Sequence, residues 1–425
     1  MKKITALLII YMLMFMGSRA YAAHSLKITD YDTTVSGAKE TRLTLDYDKL
    51  TSMDPYGTTK ASQLNWQFDL THNNFYDSYD RSWSYGIQLS QDSMPSTGLL
   101  PPPTLQLQEK TFAATASYRD YFIPGKNIYQ GIGVDYLAQT LTLDDQKTMK
   151  AEGYQATISY MIGMGHLVDI TPIAEAGVLE DRLMEAGLLN GNLSKRDMLK
   201  LAELIRKWRM GEYTYKNQDT AKGKFLKDIS AVLEASGKLT RPIGGFEFWR
   251  ISECRNVNYA RTKGEVIELS TSAAHDSTII HFYPLPHGGY TSNQNNAFNI
   301  RYYRYLPIDW AQQIYFTLQQ TTKLNPDAEL YAENSLFTAL VYNYDLTNNI
   351  WFSAGYDYNR LNYKNSSLNE QIDWGQSNTT SMKRYMLDFH YKIEDYSITT
   401  FSIWRAIRDS GNSQEYVSLS QSFYL

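Results

Sequence analysis

Residues 384–394 read RYMLDFHYKIE. Tyr385, Leu387, Phe389, Tyr391 and Ile393 fall on one side of an extended chain, and Arg384, Asp388, His390, Lys392 and Glu394 fall on the other. Alternation with period two is the mark of a strand with two different surroundings. Here one face is apolar and the other heavily charged, over a length that tilts across a hydrocarbon core. A strand that meets lipid outside and water inside belongs to a transmembrane β-barrel.

The same period recurs along the chain. Leu64, Trp66, Phe68 and Leu70 alternate with Asn65, Gln67, Asp69 and Thr71. Trp83, Tyr85, Ile87 and Leu89 alternate with Ser84, Gly86, Gln88 and Ser90, and Tyr154, Ala156, Ile158, Tyr160 and Ile162 with Gln155, Thr157 and Ser159. A soluble β-sandwich also alternates. Its strands usually run about 5 or 6 residues, whereas these run about 10 to 13. The apolar faces carry belts of Tyr, Phe and Trp, and connections alternate short and long, as barrel turns and surface loops do.

Connection lengths allow the strands to be counted. Before residue 164 the pattern predicts strands near 39–49, 62–72, 81–91, 110–120, 128–139 and 151–163. Beyond residue 262 it predicts 263–275, 295–306, 308–320, 331–344, 349–361, 382–393, 396–407 and 415–425. The fold class is therefore all-β, an antiparallel barrel of about 14 strands with a helical insertion between strands six and seven. Counts of about 12 or 16 are the neighbouring even alternatives. With both termini in the periplasm, the short turns face the periplasm and the long loops face outward.

The N-terminus fits an exported chain. Lys2 and Lys3 precede an apolar run from Ile4 to Met16, and Ala20-Tyr21-Ala22 supplies a small-x-small cleavage pattern. The run is too short for a comfortable membrane helix, so residues 1–22 read as a signal peptide cleaved after Ala22. With a single cysteine, Cys254, no internal disulfide can form, and a closed sheet offers rigidity by another route. Tyrosine is abundant, with 34 residues, and its ring suits a membrane interface. A net charge of only −4 gives no case for nucleic-acid binding.

The last strand carries a signal of its own. Val417, Leu419, Phe423 and Leu425 share a face, with Gln421 the exception. This ending resembles the C-terminal signal of Gram-negative outer-membrane, porin-like β-barrels. The usual terminal residue there is aromatic, whereas this chain ends on Leu425 after Phe423 and Tyr424. The resemblance implies an outer-membrane location, with membrane lipid and the barrel assembly machinery as partners.

Residues 164–262 break the alternation and divide barrel residues 23–163 from 263–425. Val178 to Ala186 reads as a short helix, with the acidic pair Glu180-Asp181 at its start. Ser194 is placed to cap a helix over Lys195 to Met210, where Leu201, Leu204, Ile205 and Trp208 form a stripe. A third helix spans about Lys222 to Ala235, closed by Gly237. Residues 178–241 hold 13 Lys or Arg and 9 Asp or Glu, a surplus of +4. By strand parity the insertion enters from the periplasmic side. It fits a cap or plug of the barrel, or a module that docks a periplasmic partner.

The sequence offers little for catalysis. His275-Asp276-Ser277 has the residue types of a hydrolase triad, but adjacent residues cannot converge on one point. His275, His281 and His287 fall in one expected outer loop with no zinc-like spacing. Gly131, Gly133 and Gly163 read as small wall residues of the barrel. No cofactor or metal is implied. Charged residues on the inward faces are the candidates for function: Arg42, Asp46, Asp69, Arg119, Asp135, Asp357, Arg384, Asp388, His390 and Lys392, with the polar Asn65 and Asn359. Such a lining sets solute preference in a channel, or stiffens a closed wall as an ion-pair network. The expected function is a channel for a polar solute or polymer, partly occluded by the insertion. The alternatives are a barrel that binds or docks a partner and, more remotely, a lipid hydrolase.

Overall fold

The structure, a computed structural model, describes residues 26–28, 31, 35–53, 60–78, 80–96, 105–123, 127–144, 149–210, 212, 218–244, 261–282, 289–324, 332–347, 350–363, 379–393, 397–408 and 413–424. The expected signal segment, Cys254, His287, Glu394 and Leu425 lie outside the described residues, as do the side chains of Arg42, Asp46, Asn65, His281, Ile393 and Phe423.

Six strands precede the insertion: β1 (Val35–Met53), β2 (Lys60–Ser78), β3 (Arg81–Ser96), β4 (Leu105–Ile123), β5 (Ile128–Asp144) and β6 (Met149–Asp169). Eight follow it: β7 (Thr262–Phe282), β8 (Gly289–Pro307), β9 (Gln312–Lys323), β10 (Ala332–Thr347), β11 (Ile350–Tyr363), β12 (Thr379–Ile393), β13 (Ser397–Arg408) and β14 (Ser413–Tyr424). Each pairs antiparallel with its sequence neighbours, and β1 closes on β14 with Leu43 opposite Phe423. No strand edge is left open in the closed barrel, which removes the template for aggregation that an open sheet presents.

Alternation fixes which way each side chain points. In β6, Ile158, Tyr160, Ile162 and Met164 are exposed on the outer face, while Met161 between them is buried. The same outer band includes Ile132 and Val134 on β5, Ile267 and Leu269 on β7, Phe401 and Ile403 on β13, and Val417 and Leu419 on β14. Water solvates such a band poorly, at roughly 25 cal/mol per Å² of apolar surface, and hydrocarbon solvates it well. No helix among the described residues is long and apolar enough to cross a membrane; the exposed apolar band lies on the strands.

The strands are longer than the alternation alone indicates. They run from 12 to 21 residues, beyond the roughly 9 to 11 that a tilted strand needs to cross hydrocarbon. β7 continues to Phe282 and β8 begins at Gly289, so most of the loop expected over 276–294 is strand. His275 and His281 thus sit within β7 and not in a loop. A strand that has left the lipid no longer needs an apolar outer face. Its pairing persists while its period-two signal fades.

The insertion is shorter than the sequence reading and begins later. β6 runs to Asp169, six residues past its expected end at 163. Helix α1 then spans Thr171–Glu185, α2 Lys195–Arg209 and α3 Gln218–Ala235. Every residue from Thr171 to Gly177 is buried, so this first part of α1 has no exposed face and shows no amphipathic 3.6-residue period. Glu180 and Asp181 therefore lie within α1 and not at its start. Buried Glu180 accepts the Leu193 N–H at 2.5 Å and so ties the α1–α2 turn to the helix.

The chain forms two compact units, one holding the helices and one holding the barrel. The core of the helical unit is Leu179, Leu183, Met198, Leu201, Ile205, Phe225, Ile229 and Leu233, all buried. Ser194 caps α2 by accepting the Asp197 N–H at 3.2 Å and donating to its carboxylate at 2.6 Å. Gly187 and Gly237 follow α1 and α3 with the same left-handed φ of 66°, a conformation that favours glycine after a helix. The segments beyond them pair in a short bridge between Leu189 and Leu239. The unit thus contains two similar helix–turn arrangements that share one bridge.

Candidate functional site in the barrel lumen

The inward faces meet near the short-turn end, where β2–β3, β4–β5 and β8–β9 are connected. Several contacts there join strands that are not neighbours in the sheet, as side chains inside a closed barrel can do, and others pair neighbouring strands across the ladder. Arg119 of β4 donates to Glu268 of β7 at 3.1 Å, past β5 and β6. The Tyr129 hydroxyl of β5 donates to the same carboxylate at 2.9 Å, and Arg301 of β8 donates to its other oxygen at 3.2 Å. His166 of β6 meets Asp77 of β2 at 2.6 Å. Tyr121 packs edge-on against both Tyr129 and His166, with ring centroids 5.3 Å away in each case.

This lattice is dry at its centre. Glu268 is 1% exposed and Tyr129 is 0% exposed. Tyr121, Tyr129, Met161 and Val266 form an apolar cluster, with Leu167 and Tyr303 packed against it. Two guanidiniums on one carboxylate leave a positive charge uncompensated within the trio. The Nε atoms of Arg119 and Arg301 are buried without a protein partner, while each side chain keeps about 30% of its surface open. A second bridge crosses nearby. Arg261, 1% exposed, donates to Asp345 of β10 at 2.5 Å and to the Asp309 carbonyl at 3.2 Å.

Glycines make room for these contacts. Gly163 lies opposite Tyr129 in the β5–β6 register, and a methyl group there would collide with the Tyr129 ring. Gly165 has φ 112° and approaches the β7 backbone so closely that a Cβ would overlap Glu265. The alternation breaks at this point. Met164 is exposed outward, yet His166, which by parity would share that face, turns to Asp77 and Tyr121.

The lumen residues named from the sequence are spread around the wall and not gathered at one point. Arg119 belongs to the lattice. Asp69 accepts from Gln67 and Gln88 on its own side of the barrel. Asp357, 2% exposed, takes the Arg384 Nε at 2.7 Å. His390 stacks on Trp351 at 4.6 Å and bonds Thr400 at 2.9 Å. Asp388 shares the inward parity of Arg384, and Lys392 is buried. Asp135 is exposed on the inward parity of β5, and Asn359 alternates with Tyr358 and Arg360 on β11. Arg42 and Asp46 occupy positions of one parity on β1.

Sequence reading missed Glu268, Arg301, Tyr129, His166, Asp77, Arg261 and Asp345. Glu268 was within reach, because Val266, Glu268 and Ser270 alternate with Ile267 and Leu269. The triad residue types point apart. His275 is exposed on the outer parity of Ile267 and Leu269, whereas Asp276 accepts from Asn295 at 2.9 Å. Among the described residues, no group of three or more His, Cys, Asp or Glu is arranged to hold a metal ion.

No protein-family model and no curated protein matches the chain in sequence. Solved structures share its general form at very low identity. A monoaromatic hydrocarbon channel, the TodX deltaS2S3 mutant, is 9% identical with a TM-score of 0.39, over 96% of this chain and 94% of that one. The P. putida toluene transporter TodX is 8% identical with a TM-score of 0.35, over 96% and 94%. Pseudomonas aeruginosa OpdQ is 8% identical with a TM-score of 0.32, over 92% and 98%. Likeness at this level concerns fold alone and carries nothing about what this lumen admits.

Proposed function

We propose that the protein is an outer-membrane channel for a polar solute or polymer, narrowed at its periplasmic end by the Arg119–Glu268–Arg301 lattice and occluded in part by the helical insertion. The observation that supports this reading is the inversion of the barrel. Its outer wall is apolar, while its interior holds buried ion pairs, and polar lining of that kind suits water-soluble cargo. A barrel of about 14 strands is wide enough for a small aqueous path and narrower than the large porins of 16–18 strands. Planar-bilayer recording on the purified full chain tests the reading. Discrete conductance steps are expected, with larger steps once residues 171–240 are replaced by a short Gly/Ser linker. Silent bilayers from a protein that is folded and inserted would contradict it.

The second reading is a closed barrel that anchors a docking module. It draws on the same side-chain bridges, because a lumen crossed by buried ion pairs can also be a sealed wall. On this reading the deletion leaves bilayers silent and abolishes association with a periplasmic partner.

A further inference from the structure

The lumen lattice holds one cation more than its own pairing needs. Both oxygens of Glu268 are taken, one by Arg119 and the Tyr129 hydroxyl and the other by Arg301. A single guanidinium can satisfy a carboxylate through a bidentate pair, and a second one beside it adds like-charge repulsion. The acid is sealed while the two bases are not. The Glu268 side chain is 1% exposed, whereas Arg119 and Arg301 keep 30% and 31% of their side-chain surface open. Each spends one amino nitrogen on Glu268. Among the described residues nothing accepts from the other, Arg119 Nη1 or Arg301 Nη2.

Two guanidiniums against one carboxylate leave the trio at +1, and the neighbouring acids are engaged or distant. Asp77 is bound to His166 at 2.6 Å, and Asp345 to buried Arg261 at 2.5 Å. Asp135 stands four residues beyond Gly131, the sheet partner of Arg119, which is about 13 Å along the strand. Asp276 stands eight residues beyond Glu268 on β7, about 26 Å away. Charges in water are screened over about 8 Å at physiological salt, so neither cancels the trio. Asp357, Arg384 and Asp388 stand on β11 and β12, strands that do not border those of the lattice. Tyr129 also lies under Arg119, with its ring centre 5.1 Å from the guanidinium carbon, and so helps to fix the plane of that group.

We propose that Arg119 and Arg301 form an oxyanion-binding site in the lumen, and that the solutes preferred there carry a carboxylate or a phosphate. The edge of a guanidinium matches either group with parallel hydrogen bonds. A monovalent anion held by the two open amino nitrogens brings the trio to neutrality, and so removes the repulsion between the two bases. Arginine in a pore lining favours anions for this reason. What passes depends on the channel reading above; what binds is measured separately.

The test has two arms, both on the full-length protein. In planar bilayers under a potassium chloride gradient, the reversal potential should show chloride favoured over potassium. Arg301→Gln, which leaves the Arg119–Glu268 pair in place, should lower that permeability ratio roughly threefold or more. Arg301→Lys, which keeps the charge, should retain most of it. In detergent, citrate or inorganic phosphate should raise the temperature at which the folded barrel band is lost, compared with chloride at equal ionic strength, because a ligand of the folded state stabilises it. Arg301→Gln should abolish that shift. If Arg301→Gln does not accumulate, Arg119→Gln takes its place in both arms. Silent bilayers together with an anion shift that the variant loses would remove the channel reading and leave the site standing. A wild type that favours potassium, a ratio unchanged in Arg301→Gln, a loss as great in Arg301→Lys, or an anion shift that is absent or equal in wild type and variant would each overturn the proposal.

Discussion

The barrel and the helical unit solve the same problem in opposite ways. The helical unit is inside-apolar, with Phe225, Ile229 and Leu233 buried together and most of its charges outside, Glu175, Glu180 and Arg206 being buried. In the barrel Ile158 and Leu419 are exposed while Glu268 and Asp357 are buried. The difference shows what each stability depends on. The helical unit is held by packing, which cavities weaken. The barrel is held by backbone closure, with lipid as the outer solvent and a few interior ion pairs that are costly to break singly.

Substitutions in each region should therefore fail in different ways. Glu268→Ala leaves Arg119 and Arg301 facing each other without their shared carboxylate. Removing one partner of a buried ion pair costs about 3–5 kcal/mol. The temperature at which the folded barrel band disappears on gels should fall more for this variant than for any outward polar change. Phe225→Ala removes a buried ring that packs on Trp208 at 4.8 Å, also worth about 3–5 kcal/mol. Limited proteolysis should then cut within residues 171–240 while the barrel band is unaffected. Loss of both together would show that the two units do not fold separately.

Leu387→Arg and Asp388→Asn probe the two faces of one strand. Arginine at the lipid midplane costs roughly 2–4 kcal/mol, so outer-membrane accumulation should drop for the first variant and change little for the second. The reverse ranking would shift the register of β12 by one residue.

The smallest effect is a pH dependence in the helical unit. The hydrogen bond from Arg206, aided by the charges of Arg206 and Lys207, holds the Glu203 carboxyl below its usual value. A lowered folded value means stability that is present above the unfolded value near 4.3 and is lost as pH falls through the folded one. Helix pairs of this spacing are worth about 0.2–0.5 kcal/mol. Glu203→Gln should lower the unfolding temperature of the helices slightly at neutral pH and not in acid. An equal decrease at both would remove the ion pair from the account.

The two regions were also unequally legible. Each strand of the barrel was visible in sequence because lipid demands an apolar residue at every second position, as Tyr385 to Tyr391 show. The ends of β7 and β8 were not visible, since beyond the membrane that demand lapses. α2 could be read from its stripe and its Ser194 cap. The start of α1 could not, because a segment buried on all sides has no period. Arg119 was placed inside by alternation, but its partner Glu268 lies 149 positions along the chain, and only the folded barrel brings the two together. His166 could not have been placed by parity at all, since Gly165 breaks the alternation just before it.

The central claim is that side chains crossing the lumen at the short-turn end set the width of a water-filled path. Tyr129 is the most direct probe, being fully buried in the lattice and seated over Gly163. Single-channel conductance should be recorded for the wild type and for Tyr129→Ala, after both are shown to be folded by heat-modifiable gel mobility. The account predicts discrete steps in the wild type and larger steps in the variant; steps of equal size, or none in either protein, would contradict it.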